Sequence, residues 1–287
     1  MDAPTAGVLR DITLWVWLSL LIGVAAYKWI RQTRPTACWN WEGNVDARPY
    51  LYFDAIIVAA LSLMILIGLQ RAEPTVASAV DAPANELNAV ALFSSIVLQL
   101  LICTVLLFYL RAVRNLNPVE LFGLRRLTVR QVATTALVFM IPTCIVVMLT
   151  SAGVTEWMKG FWPDLEQQAS VEAFRNSKDP MAKAMLVIAA VVVAPIVEET
   201  VFRGFIYGVI KRFTDSYFAA VCSAVLFAIV HLHMGSVIPL AVLALIFCAA
   251  YERTGSLAVP MVMHGLFNGT SIGLMILFPE APHANPG

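Results

Sequence analysis

Two adjacent carboxylates, Glu198 and Glu199, stand inside the apolar run VVVAPIVEETVFRGF, with Arg203 just after them. On a helix Glu199 and Arg203 share a face, and glutamate N-terminal to arginine is the favourable order for an ion pair. Pairing makes both charges tolerable in a low-dielectric setting. Glu198 points about 100° away. Its neighbours at three and four residues are Ala194, Pro195, Val201 and Phe202, none of which offers it a counter-charge. One carboxylate is therefore expected to be neutralised and the other free. A free acid in so oily a run needs a partner or a wet cavity and is a functional candidate by default. The plain structural reading, a charge knot that locks helices together, stays open.

The partners available are histidines. FAIVH sets Phe227 over His231, and HGLFN sets His264 and Asn268 on one face. His233 lies outside these patterns, and His283 lies in a polar tail. A lone histidine in such a segment is most often a buried, hydrogen-bonded group. Two of them with an amide and an unpaired acid are the parts of a hydrolytic site. A carboxylate held away from water is a useful proton acceptor, and with an imidazole it can hold and deprotonate a water. His264 and Asn268 can donate hydrogen bonds to the oxyanion of a tetrahedral intermediate. Ser223 lies two helical turns before His231 and Cys222 lies off that face, so a serine or cysteine nucleophile is less attractive.

These residues must be positioned by membrane helices. Of the 287 residues, 60% are hydrophobic and 13% charged, against about 25% charged in soluble domains. Mean hydropathy is +0.78. Net charge is zero, so there is no overall field to attract nucleic acid. A bilayer-spanning helix needs about 20 mostly apolar residues. The candidates are 12–30, 50–69, 89–110, 131–151, 183–211, 216–233, 236–251 and 257–278, an all-α polytopic bundle of about eight transmembrane helices. The first reads as a retained helix, because its leading residues mix Arg10 with Asp2 and Asp11. TEWMKGFW, with Trp157 and Trp162, suits the membrane interface. Lys28, Arg31, Arg34 and Arg48 make the first loop basic, the third carries five arginines from Arg111 to Arg130, and the fifth holds Lys211 and Arg212. The even loops are not basic. Positive charge collects on the cytoplasmic side, which puts the odd loops there and both termini outside. Cys38, Cys103, Cys144, Cys222 and Cys248 show no metal-type spacing, and no disulfide is expected.

The fifth and sixth segments form a hairpin turning near Phe213–Thr214. At 1.5 Å per residue, Glu198 and His231 both lie roughly 25 Å from that turn if the fifth helix runs unbroken to about Lys211. The last hairpin turns near Thr254–Gly255, with His264 and Asn268 roughly 14 and 20 Å from it. A common cavity is plausible on these heights. Gly204 and Gly208, in GFIYG, would let helices approach closely beside it, or are simply tolerated in a membrane helix.

EETVFR, FAIVH and HGLFN match EExxxR, FxxxH and HxxxN, in that order and on separate helices. The chain thereby resembles the CPBP family of intramembrane proteases, which includes the CAAX prenyl endopeptidases and the lysostaphin resistance protein A-like proteins. The resemblance covers roughly residues 181–278. It divides the chain into N-terminal membrane helices over 1–180 (four spans plus an interfacial loop), a CPBP-type catalytic membrane domain over 181–278, and a polar tail over 279–287. It implies an endopeptidase of the bacterial inner membrane acting on a peptide or protein at the bilayer. Glu198 and His231 would activate water, His264 and Asn268 would stabilise the oxyanion, and Glu199 and Arg203 would form the supporting pair. Members are often labelled metalloproteases. Two histidines and a glutamate would suit zinc with an open position, but no HExxH is present, and the metal-free, glutamate-activated reading is preferred. The rivals are a non-catalytic scaffold or bacteriocin-immunity-type protein of the same fold, and an ion-coupled transporter. The transporter should show paired inverted repeats with broken helices, and none is visible in the sequence.

Overall fold

The computed structural model describes residues 25–33, 43–64, 89–160, 179–231 and 234–277, with isolated positions at 18, 22, 23, 174 and 177. All regular structure among them is helical. The principal helices are α1 (Tyr52–Met64), α2 (Ala89–Val113) and α3 (Val129–Lys159), then α4 (Pro180–Phe213), α5 (Ser216–Ile229), α6 (Val237–Thr254) and α7 (Ala258–Leu277).

Local chemistry sets their ends. Thr128 and Gln131 form a reciprocal capping box that starts α3. Asp179 accepts from the Met181 amide at 2.9 Å, and Pro180 follows at the first helical position, where its missing N–H costs nothing. Asp215 caps α5 through the Phe218 amide at 2.9 Å. Gly255, with φ of 65°, ends α6 in the left-handed conformation that favours glycine. The two hairpins thus turn where the sequence places them, at Thr214 and Gly255.

Among the described residues five helices (α2, α3, α4, α6 and α7) are long and apolar enough to cross a membrane. Segment 216–233, expected as a span, holds the shorter α5; of segment 50–69, also expected as a span, the described part forms α1, and 65–69 lie outside the described residues. The 14 residues of α5 rise about 21 Å, less than the roughly 30 Å of a hydrocarbon core. This helix stops early because its end tightens: the His231 amide bonds the Ala228 carbonyl, an i→i−3 closure. A 3₁₀ turn over Met234–Ser236 then leads into α6. Most of segment 12–30 lies outside the described residues, as do Cys38, Trp162, His233 and the tail from 279.

The outer helices face lipid. α2 turns Leu98, Leu101, Ile102 and Val105 outward, and α3 does so with Leu137, Val138, Ile141 and Leu149. A water-soluble protein does not expose apolar area on that scale. A helix, with its backbone bonds closed internally, is what a bilayer accepts. The chain is a multi-pass membrane protein. Cys103, Cys144, Cys222 and Cys248 are unbridged.

The second half of α4 is the centre of the bundle. Phe202, Phe205, Ile206 and Tyr207 pack in one cluster with Tyr50, Leu110, Phe122, Phe227, Tyr251 and Leu257. A second cluster joins α3, α6 and α7 through Met140, Leu243, Phe247, Val259 and Met263. α4 runs unbroken through Arg203, as expected, but not as a uniform α-helix. It widens into π turns at Ala189–Val193 and Thr200–Tyr207. Such turns often mark functional sites.

Candidate active site

Glu198 and Glu199 end the short α-helical stretch between the two π turns. Glu199 is fully buried and accepts from Arg203 Nη1 at 3.0 Å, and Arg203 is buried as well. The guanidinium lies over the Phe227 ring at 4.3 Å and near the Phe247 ring at 5.4 Å, so aromatic faces supply part of its stabilisation. The same Glu199 oxygen, Oε1, also receives His264 Nδ1 at 2.9 Å. One carboxylate oxygen thus joins α4 to α7.

That contact fixes the imidazole. Glu199 Oε1 is an acceptor for Arg203, so the bond to His264 requires the proton on Nδ1. Nε2 is left to point elsewhere, and it points at Glu198: His264 Nε2 and Glu198 Oε2 are 3.9 Å apart. This is too long for a direct hydrogen bond. Glu198 is 27% exposed in its side chain, and its Oε2 meets no donor among the described residues. The two neighbouring glutamates therefore differ as their helix faces suggest, one consumed and one available.

Asn268 lies one turn beyond His264 on α7, and its Nδ2 donates to the Ala190 carbonyl at 2.8 Å. This carbonyl is free for a local reason. In the π turn each N–H reaches the carbonyl five residues back, as Ala194 does to Ala189. Ala190 would need the N–H of Pro195, which proline lacks. Asn268 fills that gap with one amide hydrogen and keeps a second.

His231 stands in the turn just past α5, not inside a membrane helix as expected. Its Nδ1 contacts the Phe227 carbonyl at 2.8 Å, so Nδ1 is the donor and Nε2 carries the lone pair. Its ring packs on Phe227 at 4.7 Å, and His264 approaches the same ring at 5.9 Å. Phe227 is the common neighbour of both histidines and of Arg203. Ser223 is buried and donates to the Phe202 carbonyl at 3.1 Å, which occupies its hydroxyl. Gly204 and Gly208 meet the rings of Phe122 and Tyr50 rather than another helix backbone.

Zinc finds no ready set. Among the described residues no three His, Cys, Asp or Glu side chains converge to hold a metal, and His264 already spends Nδ1 on Glu199. No step below is routed through a metal.

Helix periodicity made the Glu199–Arg203 pair legible, but four features were missed: the His264–Glu199 bond, the Ala190 carbonyl, the Phe247 face and the π turns. Only the carbonyl had a signal, since a proline inside a helix always orphans an acceptor about one turn back.

Residues 180–270 match the family model described as Type II CAAX prenyl endopeptidase Rce1-like. "Putative membrane peptidase YdiL" of Bacillus subtilis (strain 168) is 33% identical over 98 residues, 34% of this chain and 40% of that protein. "Membrane-embedded CAAX protease MroQ" of Staphylococcus aureus (strain USA300) is 32% identical over 96 residues, 31% of this chain and 39% of that protein. The chain therefore spans about two fifths of the length of these curated relatives. No solved structure matches. The similarity to these membrane peptidases is carried by the C-terminal third of the chain.

Proposed function

We propose that the chain is an intramembrane endopeptidase that hydrolyses a peptide bond near the membrane with a glutamate-activated water. The observation that carries this reading is the contrast between the two glutamates. Glu199 is spent on Arg203 and His264, whereas Glu198 keeps a bare carboxylate oxygen facing His264 Nε2 across 3.9 Å. A water held by Glu198 and His231 loses a proton to Glu198 as its oxygen attacks the scissile carbonyl. His264, when Nε2 also carries a proton, and the second Asn268 N–H donate to the resulting oxyanion. Collapse of the tetrahedral intermediate expels the amine, and Glu198 returns the proton to it. The products are one new carboxylic acid, which keeps the second proton of the water, and one new amine, with no net change at the enzyme. The printed names of the relatives, a membrane peptidase and a CAAX protease, support the same reaction class.

Glu198→Gln keeps the shape and removes the base. Membrane peptides from cells carrying the wild-type chain should include products absent from cells carrying the variant at equal abundance. Identical peptide profiles would instead favour a non-catalytic scaffold.

A further inference from the structure

We infer that Tyr50, which lies outside the family-matched segment, is a positioning residue that holds the π turn behind Glu198 and Glu199 in register; this rests on the hydrolase reading. Tyr50 is 2% exposed, and its hydroxyl donates to the Gly204 carbonyl at 2.6 Å. Gly204 follows Arg203 directly and lies inside the π turn Thr200–Tyr207. The fit is close on the ring side too. A Cβ at Gly208 would come within 2.5 Å of Tyr50 Cε2, so only glycine admits the ring there.

A π turn inside an α-helix is held by its surroundings, because its wider hydrogen-bond ring is the rarer geometry. Here two carbonyls of the turn receive side chains: Ser223 reaches Phe202, and Tyr50 reaches Gly204. Ser223 comes from within the matched segment, and Tyr50 comes from 154 residues away. Tyr50 is itself anchored. The Asn44 amide bonds the Glu252 carbonyl at 2.8 Å, Lys211 Nζ bonds the Val45 carbonyl at 2.8 Å, and Arg114 Nε pairs with Asp54 at 2.9 Å. Segment 43–54 thus straps the bundle and delivers one hydroxyl to α4. If α4 rewinds toward regular α geometry, the residues before and after the turn rotate relative to each other. Glu199 immediately precedes the turn and Arg203 lies within it, and His264 is oriented through Glu199.

The test compares full-length wild type with Tyr50→Phe, which keeps the ring. Amide deuterium exchange across 200–208 should rise several-fold while the unfolding midpoint stays put, because one hydrogen bond is lost without packing. This arm needs no substrate. On the peptide identified by the Glu198→Gln comparison, kcat should fall roughly tenfold with KM unchanged, as expected when binding survives and geometry does not. Tyr109→Phe, which removes an α2 hydroxyl that bonds the strap at Asp54 and not α4, should retain wild-type kcat. Unchanged exchange in Tyr50→Phe overturns the inference, as does a kcat loss accompanied by equal losses in KM and midpoint. If Glu198→Gln cleaves like wild type, the hydrolase reading fails, whatever Tyr50 does to exchange.

Discussion

Glu199→Gln isolates the charge at the centre of the site. The amide oxygen can still accept from Arg203 Nη1 and His264 Nδ1, so both hydrogen bonds have an acceptor, and only the negative charge is gone. Arg203 is fully buried, and its Nε and Nη2 have no hydrogen-bond partner among the described residues. The lost charge leaves a buried cation with neutral hydrogen-bond partners and aromatic faces but no counter-charge in the pair. Removing one member of a buried pair costs about 3–5 kcal/mol. The reverse change, Arg203→Met, should cost less, because His264 still donates to Glu199. The double variant Glu199→Gln/Arg203→Met removes both charges and keeps the amide–imidazole bond. It should be no worse than the milder single, a coupling of roughly 3 kcal/mol. Unfolding in mixed micelles, followed by far-ultraviolet circular dichroism, measures all four corners of the cycle. Additive single effects, or a Glu199→Gln cost under about 1 kcal/mol, would refute the claim that charge compensation holds α4 to this geometry.

Variants at four further positions probe the site and its surroundings. A Cβ at Gly265 would lie 2.7 Å from the Val191 backbone oxygen, whereas Gly273 has open space; Gly265→Ala should destabilise by about 1–3 kcal/mol and Gly273→Ala by under about 0.5 in the same unfolding assay. Asn268→Asp sets a carboxylate against the Ala190 carbonyl and should lose more stability than Asn268→Ala, which costs about 1–3 kcal/mol for the orphaned acceptor. His231 is exposed and sits in a turn, so His231→Ala should cost under about 1 kcal/mol in unfolding while abolishing cleavage at matched folded protein.

What the sequence disclosed follows the range of its rules. Glu199 and Arg203 are four residues apart on one helix, and local periodicity brings them together whatever the tertiary structure does. The apolar lengths of α2, α3, α4, α6 and α7 answer to bilayer thickness, another rule that needs no fold. The hairpin ends at Thr214 and Gly255 carry their own caps and turn residues. By contrast, His264 finds Glu199 only because α7 lies against α4, and no spacing within either helix encodes that. The π turns are equally hidden, since Tyr50, Ser223 and Asn268 reach their carbonyls from distant parts of the chain. His231 falls in a turn rather than in a helix because an apolar run does not reveal where a helix tightens to stop.

The adjacency of the two glutamates explains why one site can hold both a paired and an available acid. Successive residues on a helix diverge by about 100°, so a single backbone position delivers carboxylates into two environments. Glu199 turns inward to Arg203 and the aromatic rings, where an unpaired charge would be ruinous. Glu198 turns toward the partly open side, where its 27% exposure limits the cost of desolvation. His264 reads both: Nδ1 is committed to the buried acid, and Nε2 is thereby aimed at the open one. Had His264 bonded Glu198 directly, neither acid would be left available. The 3.9 Å separation is too long for a direct hydrogen bond and near enough for the two groups to share a small polar bridging molecule.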